Sequence, residues 1–187
     1  MDFKKSMKSN HRRIPALLLI SSLLWTAIGC VAPPPEGLEP VSEFEPERYL
    51  GTWYEIARLD NPMEQGLSHV TCEYASCSCS GKMIITNRAW NQNARKWQIA
   101  RGFAEYLASD RTASMKVTFN WPVFSPYYII DLDQEFYTWA LVTSDSYDSL
   151  WILARKPEIR DELLGELLAK AEQWGFETDK LVFVAHN

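Results

Sequence analysis

Apolar and polar residues alternate along Met115-Lys116-Val117-Thr118-Phe119-Asn120-Trp121, the period of a strand with one buried face. Met115, Val117, Phe119 and Trp121 share that face. Further strand-like runs cover residues 52–59, 70–75, 82–90, 96–106, 127–132, 138–142 and 150–154. Turn formers separate them: Asn61-Pro62 with Gly66, Ser80-Gly81, Asn91-Gln92-Asn93, Ser109-Asp110, Pro122, Asp133 and Ser144-Asp145. Ahead of the first run, residues 45–50 read as one helical turn closed by Gly51. After the eighth run the period changes. Ile159, Leu163, Leu167, Ala171 and Trp174 fall on one helical stripe, with Leu164 and Leu168 beside it. Pro157 suits the first helical position and Gly175 the C-cap. Residues 181–184 form a last strand. The spacing predicts an all-β fold, an antiparallel sandwich or barrel, and eight strands, one helix and one strand is the order expected of a closed barrel with a helix packed outside. A closed barrel of ~8 strands can hold one small ligand.

The N-terminal stretch carries a different pattern. Lys4, Lys5, Lys8, Arg12 and Arg13 precede an apolar run over residues 16–28. That run falls short of the ~20 residues needed to cross a bilayer, and basic residues before a short apolar segment read as a secretory signal. It ends in Ala27-Ile28-Gly29-Cys30, which resembles the bacterial lipobox with Ala27 in place of the usual Leu. The resemblance implies that residues 1–29 are removed and that Cys30 is lipidated. Val31, rather than Asp, in the next position implies delivery to the outer membrane. Pro33, Pro34, Pro35 and Gly37 then suit a tether over residues 30–43. Residues 44–187 form the barrel domain.

Charge narrows the partners. Five bases and one acid precede Cys30, leaving 14 bases against 23 acids in the remaining 158 residues. A domain so acidic makes no nucleic-acid partner, because phosphates demand basic patches. The aromatic share of 13% fits either an apolar interior or a well-filled β core.

Three segments carry a family resemblance. Tyr49-Leu50-Gly51-Thr52-Trp53-Tyr54-Glu55-Ile56-Ala57-Arg58 resembles the first lipocalin signature, built on Gly-x-Trp. Leu132-Asp133 followed by Ala140-Leu141-Val142 resembles the second, and Leu150-Trp151-Ile152-Leu153-Ala154-Arg155 the third. The resemblance covers about residues 41–187 and implies an eight-stranded antiparallel up-and-down barrel with one C-terminal α-helix packed outside. It is nearest to the bacterial outer-membrane lipoproteins of the family, which are similar to apolipoprotein D and the plant temperature-induced lipocalins. The second signature is about one residue longer than usual, so Phe136 or Tyr137 takes its aromatic position. The resemblance implies that Trp53 plugs one end of the barrel, that Arg155 stacks on it, and that the turn before Gly51 crosses the same end. It also implies binding, storage or transport of an amphipathic lipid, a fatty acid or lysophospholipid. The protein would be lipid-anchored on the outer membrane, face the periplasm and need no cofactor. Two other readings stay open: an envelope-maintenance protein acting through its loops or a homodimer interface, and an enzyme acting on an apolar substrate.

No nucleophile–base pattern, phosphate loop or metal motif stands out, so catalytic and metal-binding residues are not expected. His69 and His186 read as solvated. Three cysteines follow Cys30, so at least one is free or pairs with another chain; an incidental or structural role is expected, and a Cys72–Cys77 bridge, a strained Cys77–Cys79 bridge and a soft-metal site of Cys72, Cys77 and Cys79 are the specific alternatives. Glu55 follows Trp53 by two on one strand and faces inward with it. There it either meets the wet mouth or pairs with Arg101. Met115, Val117, Phe119 and Trp121 are plain core or pocket wall.

Overall fold

Residues 31–77, 81–107 and 111–186 are described by a computed structural model. One helical turn, α1 (Pro46–Tyr49), opens the domain, with Pro46 where a missing N–H does no harm. Eight strands follow: β1 (Gly51–Leu59), β2 (Leu67–Ser76), β3 (Met83–Asn91), β4 (Lys96–Tyr106), β5 (Ser114–Asn120), β6 (Val123–Leu132), β7 (Trp139–Thr143) and β8 (Leu150–Ala154). Each pairs antiparallel with the next, β8 pairs with β1, and β1 with β2 closes the ring. A longer helix, α2 (Asp161–Gln173), and a short β9 (Leu181–Phe183) complete the chain. This is the all-β, eight-stranded barrel with one external C-terminal helix that the order of the elements and the resemblance predict.

β1 divides its partners. Gly51–Tyr54 pair with β2, and Ala57–Leu59 pair with β9. Where β1 and β2 part, the C-terminal segment fills the gap: the Val184 N–H donates to Ile56 O, and the His69 N–H to Ala185 O. His69 takes φ 52° at a register shift in β2, which is why that strand begins earlier than its apolar run.

Two apolar layers result. Inside the lower barrel lie Phe44, Tyr49, Trp53, Met83, Met115, Ile129 and Tyr137. Outside, Leu167 and Ala171 of α2 pack with Ile56, Tyr128, Leu141, Leu150 and Ile152. α2 starts later than Pro157 suggests. Arg160 remains extended, so the first turn holds Asp161 and Glu162, whose carboxylates favour a helix N-terminus. Its C-terminus is a Schellman turn: Gly175 (φ 99°) donates to Glu172 O and Phe176 to Ala171 O.

The proline-rich stretch, over its described part, is docked on the barrel. The Val41 N–H donates to Ile129 O and Val41 O accepts from Ala113 N. Leu38 and Phe44 are buried. Higher up the wall, the Tyr147 hydroxyl donates to Glu36 O and the Tyr128 hydroxyl to Ala32 O. Prolines remove donors but leave these carbonyls and apolar side chains able to dock. Cys30 and the leader before it lie outside the described residues.

Candidate binding cavity

At the end carrying α1, an indole closes the barrel. Trp53 is fully buried, and its Nε1–H donates to Tyr49 O at 2.8 Å. The Arg155 guanidinium lies 4.0 Å from the Trp53 ring centroid. It donates to Tyr137 O at 3.2 Å, Thr52 O at 3.1 Å and Arg48 O at 2.7 Å. Gly51, at φ 96°, passes so close that an added Cβ would stand 3.3 Å from Arg155 Nη1. Tyr137 takes the buried aromatic position of the β6–β7 turn, while Phe136 is 68% exposed.

Above this plug three phenols are linked. The Tyr127 hydroxyl bonds those of Tyr49 and Tyr74, each at 2.8 Å. Burial pushes all three well above the ordinary phenol pKa, so they stay neutral. Cys72 lies in the same core as a free thiol, and burial pushes its pKa up as well. Cys77 is disulfide-bonded, so the Cys72–Cys77 bridge is not formed. Cys79, which the other two cysteine readings require, lies outside the described residues.

The upper barrel is hollow. Its cavity of about 780 Å³ opens between the β1–β2, β3–β4 and β7–β8 connections, within the range of small-molecule sites. Val70, Ile85, Val117, Phe119, Trp151 and Leu153 supply apolar wall, and Glu55, Asn61, Glu64 and Asn87 supply polar groups. Glu55 and Arg58 are both buried and pair at 2.6 Å. Residues three apart on a regular strand face opposite ways. Here the β1–β8 register shifts between Glu55 and Ala57, and the bulge turns both side chains inward. Arg58 Nη2 also donates to Glu64 O at 2.6 Å, Trp151 Nε1 donates to Glu64 Oε2 at 3.1 Å, and Asn61 Nδ2 bonds the same oxygen. Asn87 Oδ1 is buried without a protein partner.

One guanidinium thus serves two carboxylates. Burial, then the charge of Glu64, raises the Glu55 pKa from 4.5 to about 8 against the opposing pull of Arg58. Arg58, not Arg101, is the partner of Glu55. Arg101 points to solvent because the first half of β4 is exposed.

The predicted wall residues separate. Glu55, Val117 and Phe119 border the cavity. Met115 is buried among the lower core residues beneath it. Trp121 is 73% exposed in the β5–β6 turn, because β5 ends at Asn120 after a register shift. Arg58, Glu64, Asn87 and Trp151 went unrecognised in the sequence. Asn87 follows Ile85 by two and was open to detection by alternation. Arg58 was hidden by the bulge, and Glu64 lies in a loop with no period. His69 and His186 are half-buried rather than solvated, with His186 Nε2 2.8 Å from Glu55 O.

Two outcomes are expected. Arg155→Ala should destabilise the fold by roughly 2–4 kcal/mol, from lost stacking and hydrogen bonds, measured by urea unfolding. A loss below experimental error would remove Arg155 from the closure. Glu55 holds its proton in the folded state up to about pH 8 and only to about 4.5 when unfolded. Its contribution is therefore full below pH 4.5 and disappears as pH rises through 8. Wild-type stability minus that of Glu55→Gln should fall across this window, by at most ~1.4 kcal/mol per pH unit. Parallel curves for the two proteins would show that Glu55 is ionised throughout.

Comparison with known proteins agrees with this architecture. The Lipocalin-like domain family matches residues 44–186. An outer membrane lipoprotein, Blc, of Citrobacter freundii is 40% identical over 174 residues, covering 92% of this chain and 97% of that protein. Temperature-induced lipocalin-1 of Arabidopsis thaliana is 28% identical over 151 residues, covering 77% and 80%. Among solved structures, insecticyanin of the tobacco hornworm Manduca sexta superposes with a TM-score of 0.66 at 17% identity, covering 84% and 88%. The likeness to the outer membrane lipoproteins places this chain at the outer membrane. With the signature tryptophan and arginine stacked at the closed end of an eight-stranded barrel, the chain belongs to the lipocalin family.

Proposed function

We propose that this barrel binds one amphipathic lipid, a fatty acid or lysophospholipid, and stores or carries it in the bacterial envelope. The observation that carries this reading is the cavity: apolar walls, one sealed end, and a polar cluster built on Glu55, Arg58 and Glu64. Family membership supports ligand binding rather than catalysis. Val117, Phe119 and Glu55 contact the ligand, and Met115 supports the wall from below. The acyl chain lies against the upper wall and the head group stays at the polar rim. Residues 1–29 are a signal peptide, Cys30 carries the lipid anchor, and the barrel faces the periplasm.

Burying a dozen methylenes contributes ~10 kcal/mol, against several kcal/mol or more lost on association. Affinity should be micromolar or better and should rise with chain length until the cavity is full. Trp151 borders the cavity and should report binding through its emission. Fatty acids and lysophospholipids of increasing length, titrated into delipidated protein, check this. A signal that ignores chain length would make the cavity a structural void.

The anchor has its own measurement. Intact mass of protein extracted from membranes should correspond to a chain beginning at an acylated Cys30. A mass that includes Met1, or an unmodified Cys30, would overturn it.

A further inference from the structure

Charge is unevenly spread along this acidic chain. From Tyr74 to Ala104 there is no acid, and Lys82, Arg88, Arg95, Lys96 and Arg101 are all basic. Most of that window is the β3–β4 ribbon. The two strands pair along their length, from Met83↔Ala104 to Asn91↔Lys96. β5 joins β4 only at Phe103–Tyr106, so the first half of β4 stands clear of it and is exposed. Trp97 and Ile99 are exposed there, and the Arg88 guanidinium lies 3.8 Å from the Trp97 ring centroid. Across the gap, Trp121 in the β5–β6 turn and Val123 at the start of β6 are exposed.

Isolated exposed apolar residues need no explanation. Here they gather at one edge of the cavity mouth, beside the bases Arg88, Arg95 and Lys96. That composition suits a lipid interface, where indoles settle at head-group depth and bases meet anionic phosphates. The β1–β2 and β7–β8 connections on the other side of the mouth carry Asp60, Asp145 and Asp148, so the mouth is polarised.

The N-terminal arm points the same way. Ala32 is held by Tyr128 on the outside of β6, the strand that follows the Trp121 turn. Only Val31 separates Ala32 from Cys30, ~7 Å of extended chain. A lipid on Cys30 therefore keeps the β6 flank close to the bilayer.

We propose that the mouth edge formed by the β3–β4 ribbon and the β5–β6 turn docks on an anionic lipid bilayer, with the gap between β4 and β5 turned toward it. This rests in part on the anchor proposed above. Docking would let an acyl chain pass between bilayer and cavity with little exposure to water.

The test uses the full lipidated chain in phosphatidylcholine vesicles with brominated acyl chains, with or without phosphatidylglycerol. Trp121 does not border the cavity, so its quenching reports docking rather than ligand uptake. Quenching should appear with phosphatidylglycerol, weaken with added salt, and lose the Trp121 share in Trp121→Phe. In the Arg95→Glu, Lys96→Glu variant the docked-to-undocked ratio should fall at least ~25-fold, at about fivefold per lost base. That variant should still float with the vesicles through its lipid. If it leaves them, the anchor reading fails while docking stands. Quenching that is equal in zwitterionic vesicles, or unchanged by Trp121→Phe, overturns the proposal. So does cross-linking of two copies through the free edge of β4.

Discussion

A hollow barrel gives up the packing that fills most small barrels, and one guanidinium helps to make up for it. Arg155 covers the face of Trp53 and gathers carbonyls from the end of α1, the start of β1 and the β6–β7 turn. The first two are neighbours in the chain and the third lies about ninety residues on, so one side chain ties the start of the barrel to its far side. A lysine could offer charge but not this planar fork. With the floor sealed, the lower half packs as an ordinary core around Phe44, Tyr49 and Met115. The upper half is then free to stay open.

The second constraint is the bulge in β1. A regular strand would send Arg58 outward and leave Glu55 alone against the cavity. The register shift at Glu55–Ala57 brings both inside, where Glu64 joins them. Two carboxylates around one cation in an apolar wall cost desolvation energy that packed aliphatic side chains would not. Stability alone gives no reason for such a cluster, and under the proposed function its place on the cavity wall suits it to a polar head group. The raised pKa of Glu55 comes from the same arrangement, since a buried surplus of negative charge favours a bound proton.

Much of the architecture was legible. Strand-like runs between turn residues, one of them clearly alternating, predict the eight strands, and period 3.6 predicts α2. The cavity wall was legible only where strands are regular. Val117 and Phe119 follow the alternation of β5, but Trp121 continues it on paper after the strand has ended. Met115 lies on the right face yet too low, because alternation tells side from side and not depth along the barrel axis. Arg58 was masked by a bulge, which no period reveals, and Glu64 by its place in a loop. The N-terminal arm was judged by its prolines. Its apolar Leu38, Val41 and Phe44 were the better guide, since docking on a wall needs only side chains and a few carbonyls.

Burial around the ring separates the rigid part of this molecule from the part that can open. β7, β8 and the second half of β1 are buried on nearly every residue, because the inner core covers one face and α2 with β9 the other. Strands covered on both faces become nearly continuous apolar runs, and residues 150–154 read that way. The first half of β4 has neither cover nor a β5 partner. Gly102 stands at the boundary. A Cβ there would meet Thr118 O at 2.1 Å, so only glycine allows β4 and β5 to approach at the point where they begin to part. Local opening is drawn from regions with few buried contacts. The β4 edge is therefore the least supported part of the cavity wall, while the Trp53 floor and the helix-covered wall are the best supported.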